Sequence, residues 1–194
     1  MPHPILHAWI DESMRTVGVP RPSYLLGGLL TDPRLCDPYR AELTRLRTTG
    51  VKLHWRELDP RHRRRAIDVL TGFRAQFVVV IAAPMDPRKQ ERARSICLER
   101  LAWELQQQEV AQVSLEARSN SLMRKDDQTI EHLRGRRVID SSLRLEHRLP
   151  STEPMVWAAD LVLGLVGGHL AGDHRMSDAL DDLRDRVSII PIEL

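Results

Sequence analysis

The stretch MVWAADLVLGLVGGHLAG, residues 155–172, constrains the fold more than any other part of the chain. It is nearly all apolar, yet an acid, a histidine and several glycines interrupt it too often for a membrane span. Such a segment is expected to be a helix buried in a core, beginning near Pro154. Inside it Asp160 is surrounded in sequence by Val156, Trp157, Leu161, Leu163 and Leu165. A buried carboxylate without a partner costs several kcal/mol, so Asp160 needs a cation, a hydrogen-bond network or water. An ion pair with one of the many arginines, or a wetted helix face, would satisfy it as well as a functional site would.

The rest of the chain supplies something for that helix to cover. Residues 5–11, 23–31 (SYLLGGLLT), 75–83 (AQFVVVIAA), 110–117 and 142–148 read as strands. Gly27 and Gly28 within the second suggest a bulge or a close backbone approach. VKLHW (51–55) reads as a short extended piece. Helices are expected from Asp32 or Asp37 to about Arg47, over 60–72, from 88 to 108 and across DDQTIEHLRGRRVI. DPR occurs at Asp32, Asp59 and Asp86, 27 residues apart, with flanks that do not match. Asp caps a helix and Pro fits its first turn, so each copy marks the start of a helix. Strands first as a meander, then alternating with helices, predict an α/β domain with a mixed sheet covered by helices. The 194 residues suit one domain, with a core at about 5–170 and a C-terminal helix and strand within 176–194.

Charge narrows the function classes. With 29 basic and 27 acidic side chains the formal charge is +2, which argues against a wholesale polycation. The basic charge is nearly all arginine, densest in RHRRR (61–65) and RGRR (134–137). Arginine grips phosphate bidentately, so Arg61, Arg64, Arg136 and Arg137 are candidate nucleic-acid contacts, with solvated helix faces as the alternative. Arg118 and Asn120, in an expected loop after Glu116, are placed to hold a phosphate as well. Aromatic residues make up only 4%, so stacking platforms are sparse and the four tryptophans are expected mostly in the core. Cys36 and Cys97 lack metal-type spacing, a disulfide is not expected, and a cytoplasmic setting follows. The start, MPHPILHAW, lacks the pattern of a signal peptide.

Three further acids stand where packing alone would prefer something else. Asp11 closes the first strand and is followed by Glu12, with a turn as the alternative reading. Glu116 closes VAQVSLE, sharing a face with Gln112 and Ser114; the solvent face of an edge strand would explain it equally. Glu57 follows His54 and Trp55 and precedes a helix, where the helix dipole alone favours an acid. With Asp160 these acids are better explained by one site. Carboxylates share a cavity when Mg²⁺ or Mn²⁺ balances them, and two such ions about 4 Å apart suit phosphodiester hydrolysis.

WIDES, YLLGGLLTD, KLHWREL and LEHRLPSTEPMVWAADLVLGLV together resemble a bacterial family known as domain of unknown function 3800, over residues 5 to about 170. The resemblance implies a ribonuclease H-like fold with acids placed as in metal-dependent nucleases. Asp11 would be the first-strand acid, Glu57 the helix-associated acid, Glu116 the acid ending the fourth strand and Asp160 that of the last helix. Glu116 departs from the commoner Asp there, its extra CH₂ shifting the oxygens by about a bond length.

Secondary candidates are His54, His147 and His174, each able to shuttle a proton or contact phosphate, or else simply half-buried. Glu12 is a candidate substitute for one of the metal-holding acids, Ser13 is a candidate for the metal shell or a turn serine, and Asp126 and Asp127 read as helix-start acids. The expectation is therefore a Mg²⁺- or Mn²⁺-dependent nuclease acting on DNA or RNA through a metal-activated water. The alternative is a non-catalytic nucleic-acid- or protein-binding module retaining the fold, in mobile-element or phage-defence biology. A homodimer whose acids pair with arginines is a third arrangement, and no membrane partner is expected.

Overall fold

The computed structural model of the protein describes residues 5–48 and 50–194. Met1–Pro4, where the sequence was read for a signal peptide, lie outside the described residues. The strands are β1 (Leu6–Arg15), β2 (Ser23–Thr31), β3 (Gln76–Ala83), β4 (Val110–Glu116), β5 (Arg144–Arg148) and β6 (Val187–Glu193). The helices are α1 (Cys36–Leu46), α2 (Pro60–Gly72), α3 (Gln90–Gln107), α4 (Asn120–Gly135), α5 (Met155–Leu170) and α6 (His174–Asp182).

All six strands form one sheet in the order β5-β4-β1-β2-β3-β6. β1, β2 and β3 run as an antiparallel meander; β4 pairs parallel to β1, β5 parallel to β4 and β6 parallel to β3. This is the mixed sheet expected from the sequence. Period-two alternation sends Trp9, Leu25, Leu29, Phe77 and Val79 to a face covered by α1, α2, α5 and α6. Ala8, Ile10, Leu26, Val78 and Val80 go to the other face, under α3 and α4. Central β2 is buried along its whole length, as a strand covered on both faces must be.

All three DPR segments behave alike. Asp32, Asp59 and Asp86 each cap a helical turn, accepting from the backbone N–H of Arg34, His62 and Arg88, with proline just inside. Of the two alternatives for the β2 glycines, the close approach is what occurs. The register of β2 with both neighbours is unbroken, and a Cβ on Gly28 would stand 2.9 Å from the Cβ of Ala159 in α5. Cys36 and Cys97 are buried free thiols. Among the described residues no helix is long and apolar enough to cross a membrane.

Several local expectations need correction. β1 does not stop at Asp11 but runs on to Arg15, because β2 continues to pair with it through Ser13↔Leu25 and Arg15↔Ser23. Asp11 is therefore mid-strand, and neither Glu12 nor Ser13 is in a turn. VKLHW joins no strand; its backbone is extended at His54 and then closes into a single 3₁₀ turn, Trp55–Glu57. α4 begins at Asn120, so Asp126 and Asp127 sit in its middle rather than at its start. The tryptophans are mostly core, as expected: Trp9, Trp55 and Trp157 are buried, and Trp103 is 41% exposed on α3.

Candidate functional site

The HAWIDES segment puts Asp11 and Glu12 on opposite faces of β1, and the two carboxylates have different surroundings. Asp11 projects with Trp9 toward α5 and is 8% exposed. β4 runs parallel alongside with Ile10 opposite Leu115, which brings the next residues, Asp11 and Glu116, side by side. Asp160 comes from α5, which crosses this face. Strand periodicity and one helix thus deliver three acids from distant parts of the chain to one place.

Lys52 stands among them. Its Nζ donates to Asp11 Oδ2 at 3.3 Å and to Glu116 Oε2 in a close ion pair. The lysine is itself only 8% exposed. Burial alone would lower its pKa, but Asp11 and Glu116 outweigh burial and raise it. Asp11 shows the complementary effect: burial and then the charge of Glu116 push its carboxyl well above the usual carboxylate range, against the pull of Lys52. One ammonium does not balance three carboxylates. Asp160 accepts the backbone N–H of Trp55 at 2.8 Å, and His54 Nδ1 lies 3.7 Å from the same oxygen. No arginine forms an ion pair with Asp160 among the described residues, so its charge is not consumed as a simple pairing scheme required.

The 3₁₀ turn explains why Glu57 is not brought to this cluster. Turning the Trp55 N–H toward Asp160 leaves Glu57 two residues on, exposed and without an ion pair among the described residues. Ser13 lies on the Asp11 face of β1, half-buried. His174 opens α6 on the surface. Among the described residues no three His, Cys, Asp or Glu side chains already stand at metal-ligand spacing, the ammonium lying between two of the acids.

Glu12 enters a different assembly beneath α3 and α4. Arg94 grips Asp126 through two bonds of 2.8 Å and pairs with Glu12, which also accepts from the Tyr24 hydroxyl. Arg118 adds bonds to Glu91 at 2.9 Å and to Asp126 at 3.3 Å. Burial would raise the Asp126 pKa, but Arg94, His147 and Arg118 together bring it down to about 2. Two of the sequence-derived candidates lie in this second assembly rather than beside Asp11. Arg118 is not a free phosphate contact, because its charge is spent on buried acids. His147 faces Asp126 at 3.6 Å and Asp127 at 3.8 Å, on the opposite side of the sheet from Asp11. Arg61, Arg64, Arg136 and Arg137 are exposed, with Arg64 facing Asp68 at 3.4 Å and Arg136 facing Glu99 at 3.6 Å.

Lys52 is the residue that sequence reasoning missed. The signal that existed was compositional: it is one of only three lysines in an arginine-rich chain, and it opens the KLHWREL motif.

No family model and no curated protein matches the sequence, so the likeness to family 3800 rests on the motifs quoted above. Among solved structures the chain is similar to RNase HII from Archaeoglobus fulgidus, determined in complex with PCNA. That likeness has a TM-score of 0.52 at 14% identity, over 90% of this chain and 79% of that one. A single-residue variant of Bst-RNase HIII aligns over 92% of this chain and 62% of that one, at 12% identity and a TM-score of 0.36, too loose to add weight. Sheet order, strand directions and the first of these likenesses agree: the chain has a ribonuclease H-like α/β fold.

Proposed function

We propose that the protein is a divalent-metal-dependent nuclease or phosphodiesterase acting on DNA or RNA. The observation that carries this reading is the convergence of Asp11, Glu116 and Asp160, from β1, β4 and α5, on one partly accessible face of a ribonuclease H-like sheet. The donor set fits a hard cation. All three are oxygen ligands, and burial together with the charges of Glu116 and Asp160 raises the Asp11 pKa against the pull of Lys52. Mg²⁺ or Mn²⁺ held by these residues would supply Lewis acidity and a water of lowered pKa for attack on phosphorus.

The chain's own residues have separate tasks. The backbone N–H of Trp55 fixes the orientation of Asp160. Lys52 holds Asp11 and Glu116 together and presents an ammonium to a phosphate oxygen when the acids engage elsewhere. His54, half-buried at the rim, offers a ring nitrogen for proton exchange.

A second reading, a non-catalytic binding module that retains the fold, is favoured by Lys52 itself, since two of the three acids already have a cationic partner. Labelled single- and double-stranded DNA and RNA, incubated with Mn²⁺ or EDTA, separate the two. The nuclease reading expects cleavage with Mn²⁺ that EDTA abolishes and Asp11→Asn removes. Absence of cleavage with Mn²⁺, together with no heat of Mn²⁺ binding in calorimetry, would leave the binding module.

A further inference from the structure

Asp160, Gly164 and Gly167 lie at i, i+4 and i+7 on α5, one stripe of one helix face. Each of the two glycines makes room for a specific side chain. A Cβ on Gly164 would overlap the Trp55 ring, and one on Gly167 would overlap the guanidinium of Arg15. Arg63 of α2 in turn lays its guanidinium over the Trp55 ring, 5.3 Å from the centroid. Arg15 and Arg63 are thus drawn together beside Asp160, with Arg56 on the turn between.

Neither arginine has an acid partner among the described residues, whereas Arg94 and Arg118 on the other face of the sheet do. Both are half-buried, and the Nε of each is shielded from solvent with no acceptor. A buried N–H left unbonded is costly, and two cations held together without an ion-paired acid between them add repulsion. Arg15 carries the mark of this. Burial lowers its pKa, and the charges of Arg56 and Arg63 add to the lowering against Asp160. A guanidinium pair with open donors suits one ligand above others, a phosphate oxygen pair bound in fork geometry.

We propose that Arg15 and Arg63, with Arg56 at the rim, form a subsite for a phosphodiester of the bound strand, next to the one presented to the carboxylates. This rests on the nucleic-acid reading above and gives it a direction: the strand runs from the Asp11 cluster along α5 toward Gly167. The arginines of RHRRR are thereby divided. Arg63 faces the site, whereas Arg61, Arg64 and Arg65 point to solvent.

The test is fluorescence anisotropy of a labelled twelve-nucleotide single strand, as DNA and as RNA, in EDTA over a salt series. Arg15→Met and Arg63→Met are each expected to weaken binding about tenfold, the scale of a lost charged hydrogen bond. Because both grip one phosphate, the double variant should lose less than the product, and its salt slope should flatten by about 0.7. Arg92→Gln, an exposed arginine on α3, is expected to bind like the parent. Circular dichroism establishes folding, and Arg63→Met decides alone if Arg15→Met does not fold. The proposal is overturned if the parent does not bind the strand at low salt, if Arg63→Met binds as the parent does, or if Arg92→Gln weakens binding equally. Binding that depends on Arg15 and Arg63 without cleavage in Mn²⁺ would sink the nuclease reading and leave the subsite standing. Cleavage with unchanged binding by both variants would do the reverse.

Discussion

Replacing Lys52 with methionine isolates the charge at the centre of the cluster, because methionine keeps most of the stem and removes the ammonium. At 3.3 Å from Asp11, the Lys52 charge is worth about 5 kcal/mol of attraction at an effective dielectric near 20. Against this stands the desolvation of the ammonium, which the variant no longer incurs, and Glu116 remains 19% exposed and partly hydrated. The net loss should lie at the low end for breaking a buried pair, about 3 kcal/mol at neutral pH. It should depend on pH. The Asp11 pKa is already raised when folded, and Lys52 is the charge that restrains it. Without that restraint Asp11 holds its proton to higher pH. The stabilising effect of protonated Asp11 is complete below the ordinary value of 3.8 and fades as pH rises through the folded value. The deficit of Lys52→Met is therefore smallest in acid and grows toward neutrality. Urea unfolding at a series of pH values measures it, and saturating Mn²⁺ at a hundredfold excess over its Kd should return about 2.7 kcal/mol. A variant as stable as the parent at neutral pH, or a deficit that does not change with pH, would refute this account of the cluster.

Other expectations follow from the same contacts. Arg94→Met leaves Asp126 and Glu12 buried without their main cation and should cost roughly 3–5 kcal/mol in urea unfolding. In the parent, Asp126 titrates at about 2, so its contribution is complete above the ordinary 3.8 and is lost as pH falls toward 2, visible as acid destabilisation by circular dichroism. Gly164→Ala drives a methyl into the Trp55 ring and should cost about 1–3 kcal/mol with altered tryptophan fluorescence. Asp59→Ala removes the α2 cap and should cost about 1 kcal/mol without affecting Mn²⁺-dependent cleavage.

Much of the architecture was legible because it rests on local rules. The alternation in β2 and β3, the three Asp-Pro caps and the near-continuous apolarity of α5 are written in a few adjacent residues each. Period two also required that Asp11 and Glu12 face opposite sides of β1, whatever lay on either side. The failures fall where the deciding partner is far away in the chain. Arg118 looked like a loop arginine because Glu91, 27 residues earlier, cannot be recognised as its neighbour from spacing. Glu57 carried the motif, yet the turn gave its backbone neighbour Trp55 the contact with Asp160.

By itself the sequence determined the elements, the apolar faces and the presence of acids that packing does not explain. Only the tertiary structure decided which of those acids meet, since that depends on β1 and β4 lying parallel with Ile10 opposite Leu115, and on α5 crossing both. It also decided their cation. A lysine in an irregular segment has no periodicity to announce it, and it becomes the charge centre of the cluster because chain reversal between α1 and α2 carries it over Asp11 and Glu116.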